Sequence, residues 1–133
     1  MPDTVDALLA AARAAQARAY VPYSRFPVGA AILADDGRIY AGCNVENAAY
    51  PTSTCAEAGA VAAMRMGGAA RIEAVMVVGE GPELCTPCGN CRQCLREFAA
   101  PGAPIHVAGP GGLRRSFTLE ELLPHSFGPE NLR

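Results

Sequence analysis

Residues 26–44 read Phe26-Pro27-Val28-Gly29-Ala30-Ala31-Ile32-Leu33-Ala34-Asp35-Asp36-Gly37-Arg38-Ile39-Tyr40-Ala41-Gly42-Cys43-Asn44. Two apolar runs flank Asp36-Gly37, a dipeptide favoured in tight hairpin turns because it tolerates the positive φ such turns require. The stretch predicts two antiparallel strands, 26–33 and 38–44. On its N-terminal side, Val5, Leu8, Leu9, Ala12 and Ala15 recur at helical spacing. They predict an amphipathic helix capped by Asp3 or Thr4 and running to Tyr20, where Pro22 ends the pattern.

On its C-terminal side, Val45 to Ser53 reads as loop, and Thr54 caps a helix from Cys55 to about Met66 that Gly67-Gly68 closes. Ala74-Val75-Met76-Val77-Val78 is apolar on both faces, as a buried central strand is. Residues 79–87 read as loop. A third helix starts near Cys88 or Gly89, carries Cys91, Leu95 and Phe98, and breaks at Pro101-Gly102. Ile105-His106-Val107 reads as a strand, and Thr118-Leu119-Glu120-Glu121 has the form of a capping box for a short last helix. The order helix, hairpin, helix, strand, helix, strand predicts an α/β fold with one sheet between helix layers. That sheet is mixed, because the hairpin is antiparallel while the later crossovers favour parallel pairing.

The chain has 133 residues, half of them hydrophobic, enough for one domain with a real core. Charged residues make up 18%, and 11 basic against 13 acidic side chains leave a net charge of −2. That balance offers no footprint for a phosphate backbone, so no nucleic acid partner is expected. All the basic residues are arginine, which excludes a lysine-bearing phosphate loop, a Schiff-base lysine and a lysine general base. The two histidines, His106 and His125, are too few for a three-histidine zinc site. No apolar run approaches the roughly 20 residues that span a bilayer, so no membrane partner is expected. Asp3 and Asp6 stand where a signal peptide would be basic, which predicts a cytoplasmic protein with reduced thiols.

Six cysteines in such a chain point to metal binding or redox chemistry. Thr54-Cys55-Ala56-Glu57 and Pro87-Cys88-Gly89-Asn90-Cys91 each put a thiol at a helix N-terminus, where unpaired N–H groups and the helix dipole favour thiolate. Cys55, Cys88 and Cys91 would fill three corners of a zinc tetrahedron and leave the fourth to water, the pattern of a catalytic site. Glu57 then stands close enough to move protons without ligating the metal. Other readings compete. Glu57 also fits a capping box with Thr54, and Cys88-x-x-Cys91 also fits a thioredoxin-like redox pair. The run Cys85, Cys88, Cys91, Cys94 approaches an iron-sulfur run, though its last spacing is one residue short and no proline follows. Cys43, Cys85 and Cys94 otherwise read as spare or core thiols.

Cys55-Ala56-Glu57 with Pro87-Cys88-x-x-Cys91 resembles the all-cysteine form of the zinc nucleoside deaminase motif. Phe26-Pro27-Val28-Gly29-Ala30-Ala31, residues 42–50, Cys91-Arg92-Gln93 and Leu122-Leu123-Pro124 followed by Phe127 are similar to the small cytidine deaminases, in order and over nearly the whole chain. The resemblance implies a three-layer α/β/α sandwich around a mixed five-stranded sheet, a single catalytic domain over residues 1–133, and a homotetramer with shared active sites. It implies hydrolytic deamination of the nucleosides cytidine and 2′-deoxycytidine, with one Zn(II) per chain on Cys55, Cys88 and Cys91 and Glu57 as the catalytic proton shuttle. Substrate contacts are implied for Asn44 and Glu46 at the sugar hydroxyl, for Phe26 at the base, for Ala56, and for Phe127 in a neighbouring subunit's pocket. A non-catalytic iron-sulfur or structural zinc module, a polynucleotide-editing deaminase and a deaminase of a related nucleoside are the alternatives. One departure stands out: the family often carries arginine directly after the glutamate, where this chain has Ala58 and Gly59.

Overall fold

A computed structural model describes residues 4–133; Asp3, the alternative cap, lies outside them. Helix α1 spans Thr4–Gln16, strands β1 and β2 span Gly29–Ala34 and Ile39–Cys43, and helix α2 spans Ala56–Met66. Strand β3 (Ile72–Val78), helix α3 (Gly89–Arg96), strands β4 (Pro104–Gly109) and β5 (Gly112–Thr118) and the short helix α4 (Leu119–Leu122) complete the order. The five strands form one sheet in the order β2-β1-β3-β4-β5. β1 pairs antiparallel with β2 and with β3, β3 pairs parallel with β4, and β4 pairs antiparallel with β5.

The sheet's two faces follow from the period-2 alternation of strand side chains. Ala30, Ile32 and Ala34 of β1, with Val75 and Val77 of β3, face a core built with Ala60 and Met64 of α2, Leu95 of α3 and Leu119 of α4. Ala31, Ala74, Met76 and Val78 face the other way, onto Leu8 and Ala12 of α1. The apolar run in β3 is thus a strand covered on both sides, and the predicted three-layer mixed sandwich is the observed one. Thr118 and Glu121 make the predicted capping box: the Thr118 hydroxyl accepts from the Glu121 N–H at 3.2 Å, and the Glu121 carboxylate accepts from the Thr118 N–H at 2.9 Å.

Four sequence expectations are corrected. Helix α3 ends at Arg96 and does not carry Phe98, whose carbonyl instead accepts from the Ile72 N–H at 2.9 Å. Helix α1 stops at Gln16 rather than Tyr20, because the backbone of Tyr20 bonds elsewhere: its N–H donates to the Asn44 carbonyl at 3.0 Å and its carbonyl accepts from Glu46 N–H at 2.9 Å. Long-range pairing overrides local helical spacing there. Residues 112–118, for which the sequence reading gives no element, are the edge strand β5, whose mostly exposed pattern hides it from a hydrophobic count. The cap of α2 is Cys55, not Thr54. Thr54 instead exchanges backbone hydrogen bonds with Val45, both at 2.9 Å.

Candidate metal and substrate site

Both helices that point at the site begin on a cysteine. Cys55 caps α2 and Cys88 caps α3, each in extended backbone and neither spending its side chain on a capping hydrogen bond. The sulfurs are free to turn inward, where Cys91 on the first turn of α3 joins them. The Sγ atoms of Cys55, Cys88 and Cys91 all lie within 4.8 Å of one another. A tetrahedral zinc with ~2.3 Å Zn–S bonds sets its sulfurs ~3.8 Å apart, so the donors are already gathered to nearly that spacing. Close approach of α2 to the sheet makes this possible: a Cβ on Gly42 would lie 2.4 Å from the Ala60 nitrogen and 2.5 Å from the Ala56 carbonyl oxygen. Only glycine lets β2 pass beneath the first turn of α2.

Glu57 is 4% exposed, the one buried charged side chain among the described residues. With Cys55 as the cap it sits second in the helix, so it closes no capping box with Thr54. Burial pushes its carboxyl above the ordinary glutamate range, against the opposing pull of its own backbone N–H and the Cys91 thiol. Burial likewise raises the Cys55 thiol, and it raises Cys91 strongly, with the Glu57 charge and the other thiols adding to the effect. For Cys88 burial opposes ionisation too, but the Cys91 N–H and the thiols of Cys91 and Cys55 outweigh it and hold the group below its ordinary value. The Glu57 charge works against ionisation of all three thiols, so the four acidic groups at this spot cannot all carry charge without mutual repulsion. A divalent cation relieves that repulsion, and a soft three-sulfur set suits zinc.

Two cavities share Asn44 and Cys55 as walls. The smaller, about 160 Å³, is lined by Val28, Asn44, Cys55, Ala56, Glu57, Cys85, Thr86 and Cys88. The larger, about 450 Å³, is lined by Tyr23, Ser24, Asn44, Glu46, Tyr50, Ser53, Thr54 and Cys55. The structure therefore brings Asn44, Glu46, Ala56 and Glu57 together with the three cysteines. Asn44 is held on both ends of its amide: Oδ1 accepts from the Val28 N–H and Nδ2 donates to the Phe26 carbonyl, each at 2.9 Å. One Glu46 oxygen accepts the N–H groups of Tyr23 and Ser24 at 3.0 and 3.1 Å, and the Ser24 bonds hold its carboxyl below the usual glutamate value. Phe26, 38% exposed, lines neither cavity; its ring edge lies toward Gly79. Phe127 is 57% exposed and lines neither cavity of its own chain.

Tyr23, Ser24, Tyr50 and Thr86 went unpredicted, because only the fold carries their loops to the cavity. Cys85, read as a spare or core thiol, packs on the core and also walls the smaller cavity. The iron-sulfur reading fails on geometry, since among the described residues the gathered set takes in Cys55 and leaves out Cys85 and Cys94. Arg92 braces the ligand loop: its guanidinium donates to the Pro87 carbonyl and the Leu122 carbonyl, both at 2.7 Å, and to the Thr86 hydroxyl at 3.2 Å. No helix among the described residues is long and apolar enough to cross a membrane.

The model of the cytidine and deoxycytidylate deaminase zinc-binding region matches residues 2–106. The chain belongs to this family. The cytidine deaminase of Mycobacterium tuberculosis is 44% identical to it over 133 residues, covering 99% of this chain and 96% of the relative. That of Sporosarcina psychrophila is 42% identical over 128 residues, covering 96% and 94%. The crystal structure of cytidine deaminase from Burkholderia pseudomallei superimposes with a TM-score of 0.87 at 40% identity, over 94% of this chain and 100% of the other. The five-stranded sandwich and the gathered thiols are those of a zinc deaminase.

Proposed function

We infer that this deaminase hydrolyses cytidine and 2′-deoxycytidine to uridine and 2′-deoxyuridine, each turnover consuming one water and releasing one ammonia. The observation that carries the reading is the gathering of three thiols beside a buried glutamate, with Cys55, Cys88 and Glu57 lining a cavity that shares Asn44 and Cys55 with a larger one. Cys55, Cys88 and Cys91 would hold one Zn(II) per chain. When bound, that ion supplies Lewis-acid chemistry able to bring the pKa of water from 15.7 toward about 7. Glu57 accepts a proton from the water that attacks C4 of the base and passes it to N3, then carries the proton of the new C4 hydroxyl to the amine as the C4–N bond breaks and ammonia leaves.

Asn44 and Glu46 present their free hydrogen-bonding capacity to the sugar hydroxyls from the wall of the larger cavity, and Ala56 and Phe26 border the base. Residues 1–133 act as a single catalytic domain, and the working form is a homotetramer in the cytoplasm. The exposed Tyr20, Tyr23, Val45, Tyr50 and Phe127 support assembly, because such apolar surface is usual at interfaces. A Phe127 that lines no cavity of its own chain supports a role in a neighbour's pocket. The free thiols support a reducing compartment, and the net charge of −2 supports a free nucleoside over a polynucleotide.

Purified protein mixed with cytidine should release ammonia, and prior chelation should abolish the release until zinc is restored. A zinc-replete protein that leaves cytidine untouched would overturn the reading. Mixed oligomers of Phe127→Ala and Glu57→Gln chains test the shared site: activity above that of either parent is expected, and none despite proven mixing refutes it.

A further inference from the structure

Helix α3 does two jobs on two faces. Its start carries Cys88 and Cys91, while Gln93 and Arg96, three residues apart and so neighbours on the helix surface, hold the C-terminal segment. Gln93 Nε2 donates to the carbonyl of Phe127 itself at 2.9 Å. Arg96 Nε donates to the Ser126 hydroxyl at 2.8 Å, and a second nitrogen of the guanidinium pairs with the Glu130 carboxylate. The Arg96 side chain is only 11% exposed, against 60% for Glu130. It lies beneath Gly128, where a Cβ would stand 2.6 Å from the guanidinium carbon. Gly128 is in extended backbone, open to any residue, so the room it leaves for Arg96 is what its missing side chain provides. The residues on either side of Phe127, and its own carbonyl, are therefore tied to α3 while its ring stays exposed.

We propose that Gln93 and Arg96 are positioning residues that fix the Phe127 ring in its presented orientation, so that the helix carrying two metal ligands in one subunit also sets substrate affinity where that ring is used. The effect on substrate rests on the proposed role of Phe127; the grip on the segment does not. A charged donor lost from a nearly buried site leaves two acceptors without their partner and the segment free to move, a loss of the order of tenfold in any equilibrium that needs the segment in place.

Arg96→Ala is expected to raise KM for cytidine about tenfold with a much smaller change in kcat. In a Phe127→Ala background the same substitution should add almost nothing, since Arg96 acts only through that ring. The chain contains no tryptophan, so Phe127→Trp supplies a single fluorescent reporter at the position itself. Its anisotropy should fall when Arg96→Ala is added. Gly128→Ala reaches the same end from the other side by displacing the guanidinium, and it decides the matter should Arg96→Ala fail to fold or to hold zinc. The proposal is overturned if anisotropy and KM stay at the parent values in these variants, or if Arg96→Ala has its full effect without Phe127. A Phe127→Ala enzyme with unchanged KM overturns the effect on substrate through the role of Phe127, and the anisotropy then decides the grip alone.

Discussion

Glu57→Gln separates proton transfer from metal binding and from folding in one substitution. The amide nearly matches the carboxylate in shape, so the three sulfurs and the pocket walls keep their places, and zinc should remain at one per chain. Turnover should fall by about two to four orders of magnitude, the usual contribution of a positioned acid-base group, or roughly 3 to 5 kcal/mol of transition-state stabilisation. The metal-free protein should respond in the opposite sense. Burial raises the Glu57 pKa in the folded chain, so its stabilising contribution is fully present below the ordinary glutamate pKa and is lost as pH rises through the raised value. At neutral pH the burial of this acid therefore costs stability, and replacing it with a neutral amide should raise the Tm of the metal-free protein. The same substitution should flatten the dependence of that Tm on pH above about 4.5. Ammonia release, zinc content and metal-free thermal melts on the same preparations check all three. A zinc-loaded variant with near-normal turnover would refute the role in proton transfer, and a metal-free Tm that does not rise would refute the electrostatic account.

Cys88→Ala should lose the metal and melt well below the parent, because a methyl group cannot replace a thiolate ligand; zinc per chain and Tm measured together check this. Gly42→Ala should destabilise by about 1–3 kcal/mol or more, since its Cβ would strike backbone atoms of Ala56 and Ala60 that cannot swing aside; denaturant unfolding gives the number. Glu46 has a depressed folded pKa, so the order it lends to residues 23 and 24 is present above the ordinary glutamate value and lost as pH falls through the depressed one. KM should accordingly climb at the acid end in the parent and be higher but less pH-dependent in Glu46→Gln.

The hairpin, the buried central strand and the last capping box could be read from residues because each rests on neighbours in the chain: Asp36-Gly37, the unbroken apolar run of β3, and Thr118 with Glu121. The end of α1 could not, because Tyr20 obeys Asn44 and Glu46, residues far along the chain whose backbone it pairs with. The zinc ligands were readable for a similar local reason, each marking a helix start in its own sequence. The wall residues Tyr23, Tyr50 and Thr86 carry no such mark, and Cys85 carried a misleading one, its even spacing from Cys88. That Glu57 is a buried acid and no cap became visible only when Cys55 proved to be the first capping residue.

Cys85 and Cys94 lie three residues to either side of ligands that they match in chemistry, and only the packed core keeps them out of the metal set. An unfolded chain has no such means of discrimination. There the six thiols compete on equal terms, and a zinc ion can bridge Cys85 with Cys88 or Cys91 with Cys94 before β3 has reached the sheet. Such mispaired chelates close short loops at little entropic cost and must dissociate before the correct set can form. Refolding is therefore expected to give a higher yield of zinc-loaded protein when the metal is added after the sandwich has assembled. Excess zinc present from the start should slow the recovery of activity on refolding of the same protein that it later stabilises, a difference that refolding time courses with early and late zinc would read.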